Sequence, residues 1–159
     1  NTTDYEGELG VVIGKKSKNI KSENALDIIF GYTIINDVTS RKLQNNHKQW
    51  FIGKSPDTYC PMGPVIVTKD EIKNIDMMKV ETFVNNELRQ TGITEDMIFD
   101  IPFLIETLTK SMTLVEGDII ATGTPSGVGI GFKPPKFLKA GDNIKIKIDP
   151  IGVLENNVV

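Results

Sequence analysis

The chain has 159 residues, of which 39% are apolar and 25% are charged, a balance typical of one soluble domain with a sizeable core. Its net charge of −3 argues against a nucleic-acid partner, because such a partner requires a basic patch that neutralises phosphates. No apolar run approaches the ~20 residues needed to cross a bilayer, so we expect no membrane partner.

The chain opens with a pattern typical of a β-strand over residues 5–14. The two-residue period of a strand places Glu6 and Glu8 on one face, about 7 Å apart. Two like charges at this distance repel each other unless they are solvated or share a cation. The pair is therefore either a wet strand edge or half of a metal site.

Residues 22–31 have the pattern of a short amphipathic helix, with Ser22 as the N-cap and Gly31 at its end. We expect this helix to serve packing. Residues 32–36 follow as an apolar strand that ends just before Asp37.

Polar residues at helical spacing come next. If the segment after this strand is helical, Asp37, Arg41 and Gln44 lie at positions i, i+4 and i+7 and share one face. A carboxylate, a guanidinium and an amide on one face suit anion or metal chemistry. The alternative is a capping aspartate with an ordinary surface ion pair.

Residues 49–64 form a long stretch punctuated by proline and glycine, which we interpret as a functional or mobile loop. Its candidate residue is Lys54, although most lysines are simply exposed to solvent. The single cysteine, Cys60, allows no internal disulfide and suits a cytoplasmic protein. The only histidine, His47, lies in a polar run that we interpret as a solvated loop, and nothing in the pattern orients a Cys–His nucleophilic pair.

The second half begins with elements that we interpret as scaffold. Residues 64–68 form a strand, and residues 80–90 form a hairpin that turns at Asn85 and Asn86, which tolerate positive φ. Residues 101–111 form a core helix with Asp100 as its N-cap. The apolar residues at helical spacing in this segment are Ile101, Leu104, Ile105, Leu108 and Met112.

The pattern Leu-x-x-Gly-Asp-x-Ile occurs at residues 114–120 and again at 138–144, and each copy predicts a turn that leads into a strand. A glycine-rich loop, residues 121–131, lies between them and carries three hydroxyl side chains. Its spacing matches neither a nucleotide-binding P-loop nor the dinucleotide fingerprint. It is either a tight loop at a strand exit or, through its N–H groups with Thr124 and Ser126, a carboxylate-binding loop.

Taken together, these motifs resemble the fumarylacetoacetate hydrolase family over nearly the whole chain. The motifs that carry the resemblance are Tyr-Glu-Gly-Glu-Leu, Asn-Asp-Val-Thr-Ser-Arg-x-x-Gln, Gly-Lys-Ser-x-Asp-Thr, Pro-Met-Gly-Pro and Thr-Gly-Thr-Pro-Ser-Gly-Val-Gly, in this order. The resemblance implies an α+β domain with a mixed β-sheet roll of the family's C-terminal domain type and a few short helices. It also implies a homodimer.

The resemblance further implies a site for Mg²⁺ or Mn²⁺. Three carboxylates without histidine or cysteine suit such a hard cation. Lys54 would polarise the substrate as the catalytic residue. The metal ligands implied are Glu6, Glu8 and Asp37, and the substrate-binding residues implied are Arg41, Gln44 and Thr124.

Members of this family act on 2-oxo and 1,3-dicarbonyl acids through an enolate. The motifs look most like the branch of 2-hydroxyhepta-2,4-diene-1,7-dioate isomerase and 5-carboxymethyl-2-oxo-hex-3-ene-1,7-dioate decarboxylase, so a metal-dependent isomerase or decarboxylase of 2-oxo or 2-hydroxydiene dicarboxylic acids is the first prediction. The alternatives are an acylpyruvate or fumarylpyruvate hydrolase and an oxaloacetate decarboxylase or tautomerase. A different class of function is a non-catalytic fragment that binds metal and a dicarboxylate.

One departure from the family bears on hydrolysis. Members that hydrolyse their substrates carry a His and Glu pair upstream of the position where this chain starts, at Asn1. We therefore expect residues 1–159 to be a single catalytic domain that lacks its N-terminal part, and hydrolysis is the less favoured activity.

Overall fold

The computed structural model describes residues 2–159, and Asn1 lies outside the described residues. The structure therefore does not test the expectation about what precedes the chain. The described chain combines β-strands with short helices. The strands are β1 (Thr3–Asp4), β2 (Gly7–Ile13), β3 (Ile29–Asn36), β4 (Thr39–Ser40), β5 (Met62–Thr68), β6 (Lys79–Val84), β7 (Glu87–Ile93), β8 (Ile119–Ala121), β9 (Asn143–Ile148) and β10 (Gly152–Asn157). The α-helices are α1 (Arg41–His47), α2 (Trp50–Lys54) and α3 (Ile101–Ser111). The 3₁₀-helices are Ser22–Ile28, Lys69–Glu71, Ile75–Met77, Thr94–Asp96 and Gly129–Gly131.

Two four-stranded sheets form the body of the fold. Their strand orders are β5-β3-β2-β8 and β10-β9-β6-β7, and β1 pairs with β4 in a separate two-stranded sheet. Each of these pairings is antiparallel. The predicted α+β class with a few short helices is confirmed.

The core lies where the side chains of β2 and β3 pack with those of β6, β9 and α3. Gly7 allows the first residues of β2 to approach the other sheet closely, because a Cβ at this position would overlap Thr82 Oγ1 and lie 3.2 Å from Ile146. The start of β2, where Glu6 and Glu8 lie, is therefore set against both sheets. Buried members of the core include Leu9, Val11, Ile34, Val80, Ile105, Ile144, Ile146 and Ile148.

The predicted hairpin and the two repeated turns are confirmed. Asn85 and Asn86 connect β6 to β7 with φ values of 51° and 66°. Gly117 and Gly141 adopt φ values of 87° and 91°, and each precedes an aspartate whose carboxylate accepts a hydrogen bond from a backbone N–H three residues earlier. The turns lead into β8 and β9 as predicted.

Helix α3 begins as predicted, since Asp100 Oδ1 accepts a hydrogen bond of 2.8 Å from the N–H of Phe103. Its buried face differs from the predicted one. Met112 is 50% exposed, whereas Thr109 is fully buried and donates its hydroxyl to the Ile105 carbonyl at 2.8 Å. A polar residue that bonds to its own helix thus occupies a core position that apolar spacing does not reveal. No helix within residues 2–159 has both the length and the apolar character required to cross a membrane.

The segment predicted as an amphipathic α-helix is a 3₁₀-helix, Ser22–Ile28, and the helix prediction is wrong in type and length. Ser22 does not cap it, because its hydroxyl donates to the carboxylate of Glu106 on α3 instead. Gly31 does not end it either. This glycine lies inside β3, where a Cβ would overlap the carbonyl oxygen of Val67 on the neighbouring strand β5.

The prediction of a continuous loop over residues 49–64 is also wrong. This stretch contains helix α2, which ends at Lys54, and it leads into β5 from Met62 onward. The polar run before it forms helix α1 rather than a solvated loop. His47 is the last residue of that helix, and its side chain lies outside the described part of the structure.

The contact between the 3₁₀-helix Ser22–Ile28 and α3 predicts a pH-dependent contribution to stability. Glu106 accepts hydrogen bonds from the N–H and hydroxyl of Ser22 and pairs with Lys110 at 3.0 Å, and these interactions lower its pKa to about 2. A lowered pKa stabilises the fold above the ordinary value of 4.5, and that contribution is lost as the pH falls toward 2. We expect Glu106→Gln to lower the free energy of unfolding at pH 7, with a difference from wild type that narrows as the pH falls below 4.5.

Urea denaturation at a series of pH values from 7 to 3 measures this difference. The control is Glu23→Gln, an exposed carboxylate on the same 3₁₀-helix, which should change the stability by no more than about 0.5 kcal/mol. A difference between Glu106→Gln and wild type that stays constant over this range would contradict the prediction.

Candidate active site

Three carboxylates meet where β2 begins and β3 ends. Gly7 pairs with Asn36 in the antiparallel register, which sets Glu6 and Glu8 beside Asp37. The N–H of Asp37 also donates to the Glu6 carbonyl at 2.8 Å. Glu6, Glu8 and Asp37 each offer one carboxylate oxygen, and these atoms all lie within 4.8 Å of one another. The three side chains singled out in the sequence are thus brought together.

Lys54 lies at the end of α2 and reaches into this carboxylate cluster. Its Nζ donates to Glu6 Oε2 at 2.7 Å, to the Asp37 carboxylate and to Thr39 Oγ1 at 3.1 Å. Burial alone would lower the pKa of Lys54, but the hydrogen bonds and charges of Asp37 and Glu6 outweigh it and raise the pKa. Lys54 therefore remains an ammonium, and a positive charge already lies between two of the three carboxylates.

The position of Lys54 depends on how α2 packs against α1. Gly53 is buried at this contact, where a Cβ would lie 2.8 to 2.9 Å from the backbone nitrogen and Cβ of Gln44. Any larger residue would separate the two helices. The Gly-Lys motif therefore provides both the close helix contact and the cation.

Arg41 begins helix α1 and is only 7% exposed. Its Nε donates to Asp4 Oδ2 at 2.9 Å, its Nη2 pairs with Glu6 Oε1 at 2.7 Å, and its Nη1 donates to Gln44 Oε1 at 3.2 Å. The predicted helical face shared by Asp37, Arg41 and Gln44 is wrong in one respect. The helix starts only at Arg41, so Asp37 precedes it, and the guanidinium pairs with Asp4 and Glu6 instead.

The glycine-rich loop bonds to carboxylates that belong to the chain itself. The N–H of Gly123 donates to Glu8 Oε2 at 2.9 Å. Thr124 Oγ1 donates to the carbonyl of Gly7 at 2.9 Å and accepts from Gln90 Nε2 at 2.7 Å. In the described structure the loop thus binds a carboxylate of the chain itself, and its binding of a substrate carboxylate through Thr124 stays a prediction.

Gln90 is a site residue that sequence reasoning missed. It is buried in β7, its Oε1 accepts from the N–H of Gly7 at 3.0 Å, and its Nε2 also donates to the Pro125 carbonyl at 2.8 Å. It therefore joins the start of β2 to the glycine-rich loop. A glutamine within a predicted hairpin strand carries no signal of this role, although an inward-facing amide in a strand always requires partners.

Glu8 has an unusual protonation equilibrium. Its pKa is raised to about 7, chiefly by burial and also by the nearby charges of Asp37 and Glu6, while the hydrogen bond from Gly123 and the charge of Lys54 oppose the change. In this buried position, Glu8 is therefore only partly ionised at neutral pH.

An open cavity of about 640 Å³ contains these groups, and all seven candidate residues lie along it. Its lining includes Glu6, Glu8, Asp37, Arg41, Gln44, Lys54 and Thr124, together with Asn45, Trp50, Ala121 and Gly123. A smaller cavity of about 430 Å³ shares Gly123 and Thr124 with the larger one and is lined mainly by apolar side chains. The charged chemistry belongs to the larger cavity.

Cys60 shows none of the features of an activated nucleophile. Burial, together with the charges of Asp37 and Glu8, raises the pKa of its thiol. An activated cysteine requires a lowered pKa, because the thiolate is the reactive form.

Comparisons with known proteins agree with the resemblance noted in the sequence. A family model described as the C-terminal domain of fumarylacetoacetate (FAA) hydrolase matches residues 1–159. Oxaloacetate tautomerase YisK from Bacillus subtilis (strain 168) is 66% identical over 155 residues, which cover 98% of this chain and 52% of that protein.

Two solved structures are similar to this chain over nearly its whole length. A fumarylacetoacetate hydrolase from psychrophilic Exiguobacterium antarcticum matches with a TM-score of 0.97 and 51% identity, covering 99% of this chain and 57% of that chain. A 2-hydroxyhepta-2,4-diene-1,7-dioate isomerase from Mycobacterium marinum matches with a TM-score of 0.91 and 41% identity, covering 100% of this chain and 59% of that one. The chain thus spans about half the length of the curated relatives it matches.

The raised pKa of Glu8 predicts how the ion-free protein responds to pH. A carboxyl group whose pKa rises from 4.5 to about 7 on folding stabilises the fold below 4.5, and this contribution is lost as the pH rises through 7. We expect Glu8→Gln to be more stable than wild type at pH 8, by up to about 3 kcal/mol, because one pKa unit corresponds to about 1.4 kcal/mol. The gain should disappear at pH 4.5.

Chemical denaturation with a chelator present, at pH 4.5, 6, 7 and 8, measures these stabilities. Glu95→Gln replaces an exposed carboxylate and serves as the control, which should change the stability by no more than about 0.5 kcal/mol. A Glu8→Gln variant that is less stable than wild type at pH 8 would refute the assignment.

Proposed function

The chain belongs to the family of the fumarylacetoacetate hydrolase C-terminal domain, and from this premise we propose that it carries the site of a divalent-metal-dependent tautomerase. The substrates proposed are short 2-oxo dicarboxylic acids such as oxaloacetate. The observation that carries the proposal is the cluster of Glu6, Glu8 and Asp37, with the Lys54 ammonium among them, in an open cavity. The high identity to a protein named as an oxaloacetate tautomerase supports this choice of substrate.

The charges in the cavity wall fit a divalent cation. Four carboxyl groups, those of Asp4, Glu6, Glu8 and Asp37, adjoin the cationic side chains of Arg41 and Lys54, so the carboxyl groups outnumber the cations by two. Carboxylate oxygens are the ligands that Mg²⁺ and Mn²⁺ prefer. Glu6, Glu8 and Asp37 would hold the ion, which would act as a Lewis acid on the oxygens of a 2-oxo acid.

Lys54 would act on the carbonyl oxygen of the substrate. Its Nζ retains a proton because Asp37 and Glu6 raise its pKa, so it can donate a hydrogen bond to oxygen on which negative charge develops. All three N–H bonds are used in the described structure. The bond to Thr39 is the one most readily exchanged, because a neutral hydroxyl is a weaker acceptor than a carboxylate.

Arg41, Gln44 and Thr124 would bind the remainder of the substrate. A guanidinium has five N–H groups, and three of those on Arg41 are donated within the described residues, which leaves two for a ligand carboxylate. Gln44 lies beside it. Its Oε1 accepts from Arg41, and its Nε2 would donate to a ligand. Thr124 already donates its hydroxyl to Gly7, so it would meet a substrate as an acceptor or through a changed hydroxyl orientation.

A second candidate is the isomerase or decarboxylase of 2-hydroxydiene dicarboxylic acids. The support for it is the structural similarity to a protein named as a 2-hydroxyhepta-2,4-diene-1,7-dioate isomerase. The same carboxylates and lysine would serve both reactions, because each passes through an enolate. Substrate length distinguishes the two.

The proposal extends to assembly and location. The edge strand β5 exposes the apolar side chains of Met62, Val65 and Ile66, and this exposure supports a homodimer of this protein. The cytoplasmic location stays a prediction, based on the single cysteine.

The first test is activity of the full-length protein toward enolic acids. We expect it to accelerate keto–enol exchange of oxaloacetate, followed by ultraviolet absorbance, beyond the rate with Mg²⁺ or Mn²⁺ alone. A chelator should abolish the acceleration, and Glu6→Gln should lower it at least roughly a hundredfold, since it removes a metal ligand. Glu95→Gln is the matched control and should retain the wild-type rate.

Acetylpyruvate and a hydroxydienedioate, assayed in parallel, decide between the candidates. Faster turnover of the hydroxydienedioate would favour the isomerase, and cleavage of acetylpyruvate would favour a hydrolase. Binding of the ion without turnover of any of these acids would overturn the enzymatic proposal and indicate a non-catalytic binding protein.

A second test concerns Lys54. We expect Lys54→Met to lower kcat by about 10² to 10³-fold, the usual effect of removing one donor to a developing oxyanion. Lys42→Met makes the same chemical change on the exposed face of α1 and should leave kcat within a factor of two. Equal rates for Lys54→Met and wild type would eliminate the proposed role of the lysine.

A further inference from the structure

Asp4 is a buried carboxylate that no sequence motif singled out. It lies in the two-residue strand β1, opposite Thr39 of β4, and its exposed fraction is 0%. A buried ionised carboxylate is costly unless its oxygens are hydrogen-bonded and its charge is paired. The hydrogen-bond partners of Asp4 therefore indicate which parts of the structure it positions.

The two oxygens of Asp4 accept four hydrogen bonds. Oδ1 accepts from the N–H of Gly129 at 2.6 Å and from its neighbour Tyr5 at 3.0 Å. Oδ2 accepts from the N–H of Ile130 at 3.0 Å and from Arg41 Nε at 2.9 Å. Four bonds fill the acceptor capacity of a carboxylate, so Asp4 has none left for a metal ion or a substrate.

The backbone of the glycine-rich loop is shaped around this carboxylate. A Cβ at Gly129 would lie 2.6 Å from Asp4 Oδ1 and would overlap the carbonyl oxygen of Lys136. Only glycine allows the two successive N–H groups to approach the carboxylate. Asp4 thus joins the far end of the loop to helix α1.

The bond between Asp4 and Arg41 also affects the carboxylate cluster. Because Asp4 holds the Nε side of the Arg41 guanidinium, the planar group directs its Nη2 to Glu6 Oε1 at 2.7 Å. The other oxygen of Glu6, Oε2, then faces Lys54 at 2.7 Å. The rotamer of Glu6 is therefore determined through a chain of contacts that begins at Asp4.

We propose that Asp4 is a positioning residue for the metal site, because it orients the Glu6 ligand through Arg41 while it anchors the turn at residues 129–131. This inference rests on the proposed function, since it assumes that Glu6 binds a divalent ion. It assigns Asp4 no contact with the ion or the substrate.

The test is the affinity for Mn²⁺, measured by calorimetry on the full-length protein without substrate. We expect Asp4→Asn to weaken Mn²⁺ binding about 10 to 100-fold, the usual effect of losing a group that orients a metal ligand. The control is Tyr5→Phe, which removes another anchor of the glycine-rich loop, the 2.8 Å bond from the Tyr5 hydroxyl to the Gly127 carbonyl, and leaves the side chains of Arg41 and Glu6 unchanged. Tyr5→Phe should bind Mn²⁺ within threefold of wild type.

A double-mutant cycle separates positioning from a simple loss of negative charge. Arg41→Lys keeps the charge but loses the planar fork, so we expect it to weaken Mn²⁺ binding as well. The double variant carries both Asp4→Asn and Arg41→Lys. If Asp4 acts through Arg41, its Mn²⁺ affinity should lie within threefold of that of whichever single variant binds Mn²⁺ less tightly. Losses that multiply in the double variant would show that Asp4 acts independently of Arg41 and would overturn the proposal.

The remaining outcomes are also decisive. A folded Asp4→Asn protein that binds Mn²⁺ as wild type does would overturn the role of Asp4 and leave the proposed function intact. If Asp4→Asn does not fold, Arg41→Lys alone decides, because unchanged Mn²⁺ affinity in that variant would exclude the route through Arg41. Absence of Mn²⁺ binding by wild type would overturn the proposed function itself, and the role of Asp4 with it.

Discussion

The balance of charge around a few buried carboxylates is the constraint on which this structure depends. Asp4, Glu6 and Glu8 are all buried, and Asp37 adjoins them at the end of β3. Carboxylates withdrawn from water are unfavourable unless cations and N–H donors surround them. Arg41 and Lys54 provide two positive charges against four carboxyl groups. Burial of Glu8, together with the nearby charges of Asp37 and Glu6, raises its pKa, and a divalent cation bound there would lower it again.

Much of the local structure positions the cations and N–H donors that surround these carboxylates. Helices α1 and α2 are too short to be stable alone, yet each presents one cation, Arg41 at the start of α1 and Lys54 at the end of α2. The glycine-rich loop presents N–H groups to Glu8 and Asp4 at two points six residues apart, at Gly123 and Gly129. Glycine is required at Gly129 and at Gly53 because backbone or carboxylate atoms occupy the space of a Cβ. The two packed sheets fix the positions of the two helices and the glycine-rich loop relative to the carboxylates.

The same constraint explains why family membership is easier to establish than a substrate. Relatives named as a tautomerase, an isomerase and a hydrolase share this domain with high similarity. A carboxylate cluster with a lysine suits any acid that passes through an enolate, so it does not select one of these reactions. Selection depends on the rim of the cavity and on the remainder of the relatives, since this chain spans about half of their length. The substrate proposed therefore follows from identity to one relative rather than from the cluster.

Much of this protein could be predicted from the sequence alone. Period-two apolar runs, the Asn-Asn turn and the two Leu-x-x-Gly-Asp turns predicted strands and turns correctly, because their signals are local and follow from backbone geometry. The candidate residues were found through motifs, and all of them line one cavity. The sequence did not reveal that Lys54 lies on a helix, that Gln90 joins β2 to the glycine-rich loop, or that Asp4 holds Arg41. The bonds of Gln90 to Gly7, of Asp4 to Arg41 and of Lys54 to Glu6 join residues 37 or more positions apart in the chain, and only the packing of two sheets and two short helices brings them within hydrogen-bonding distance.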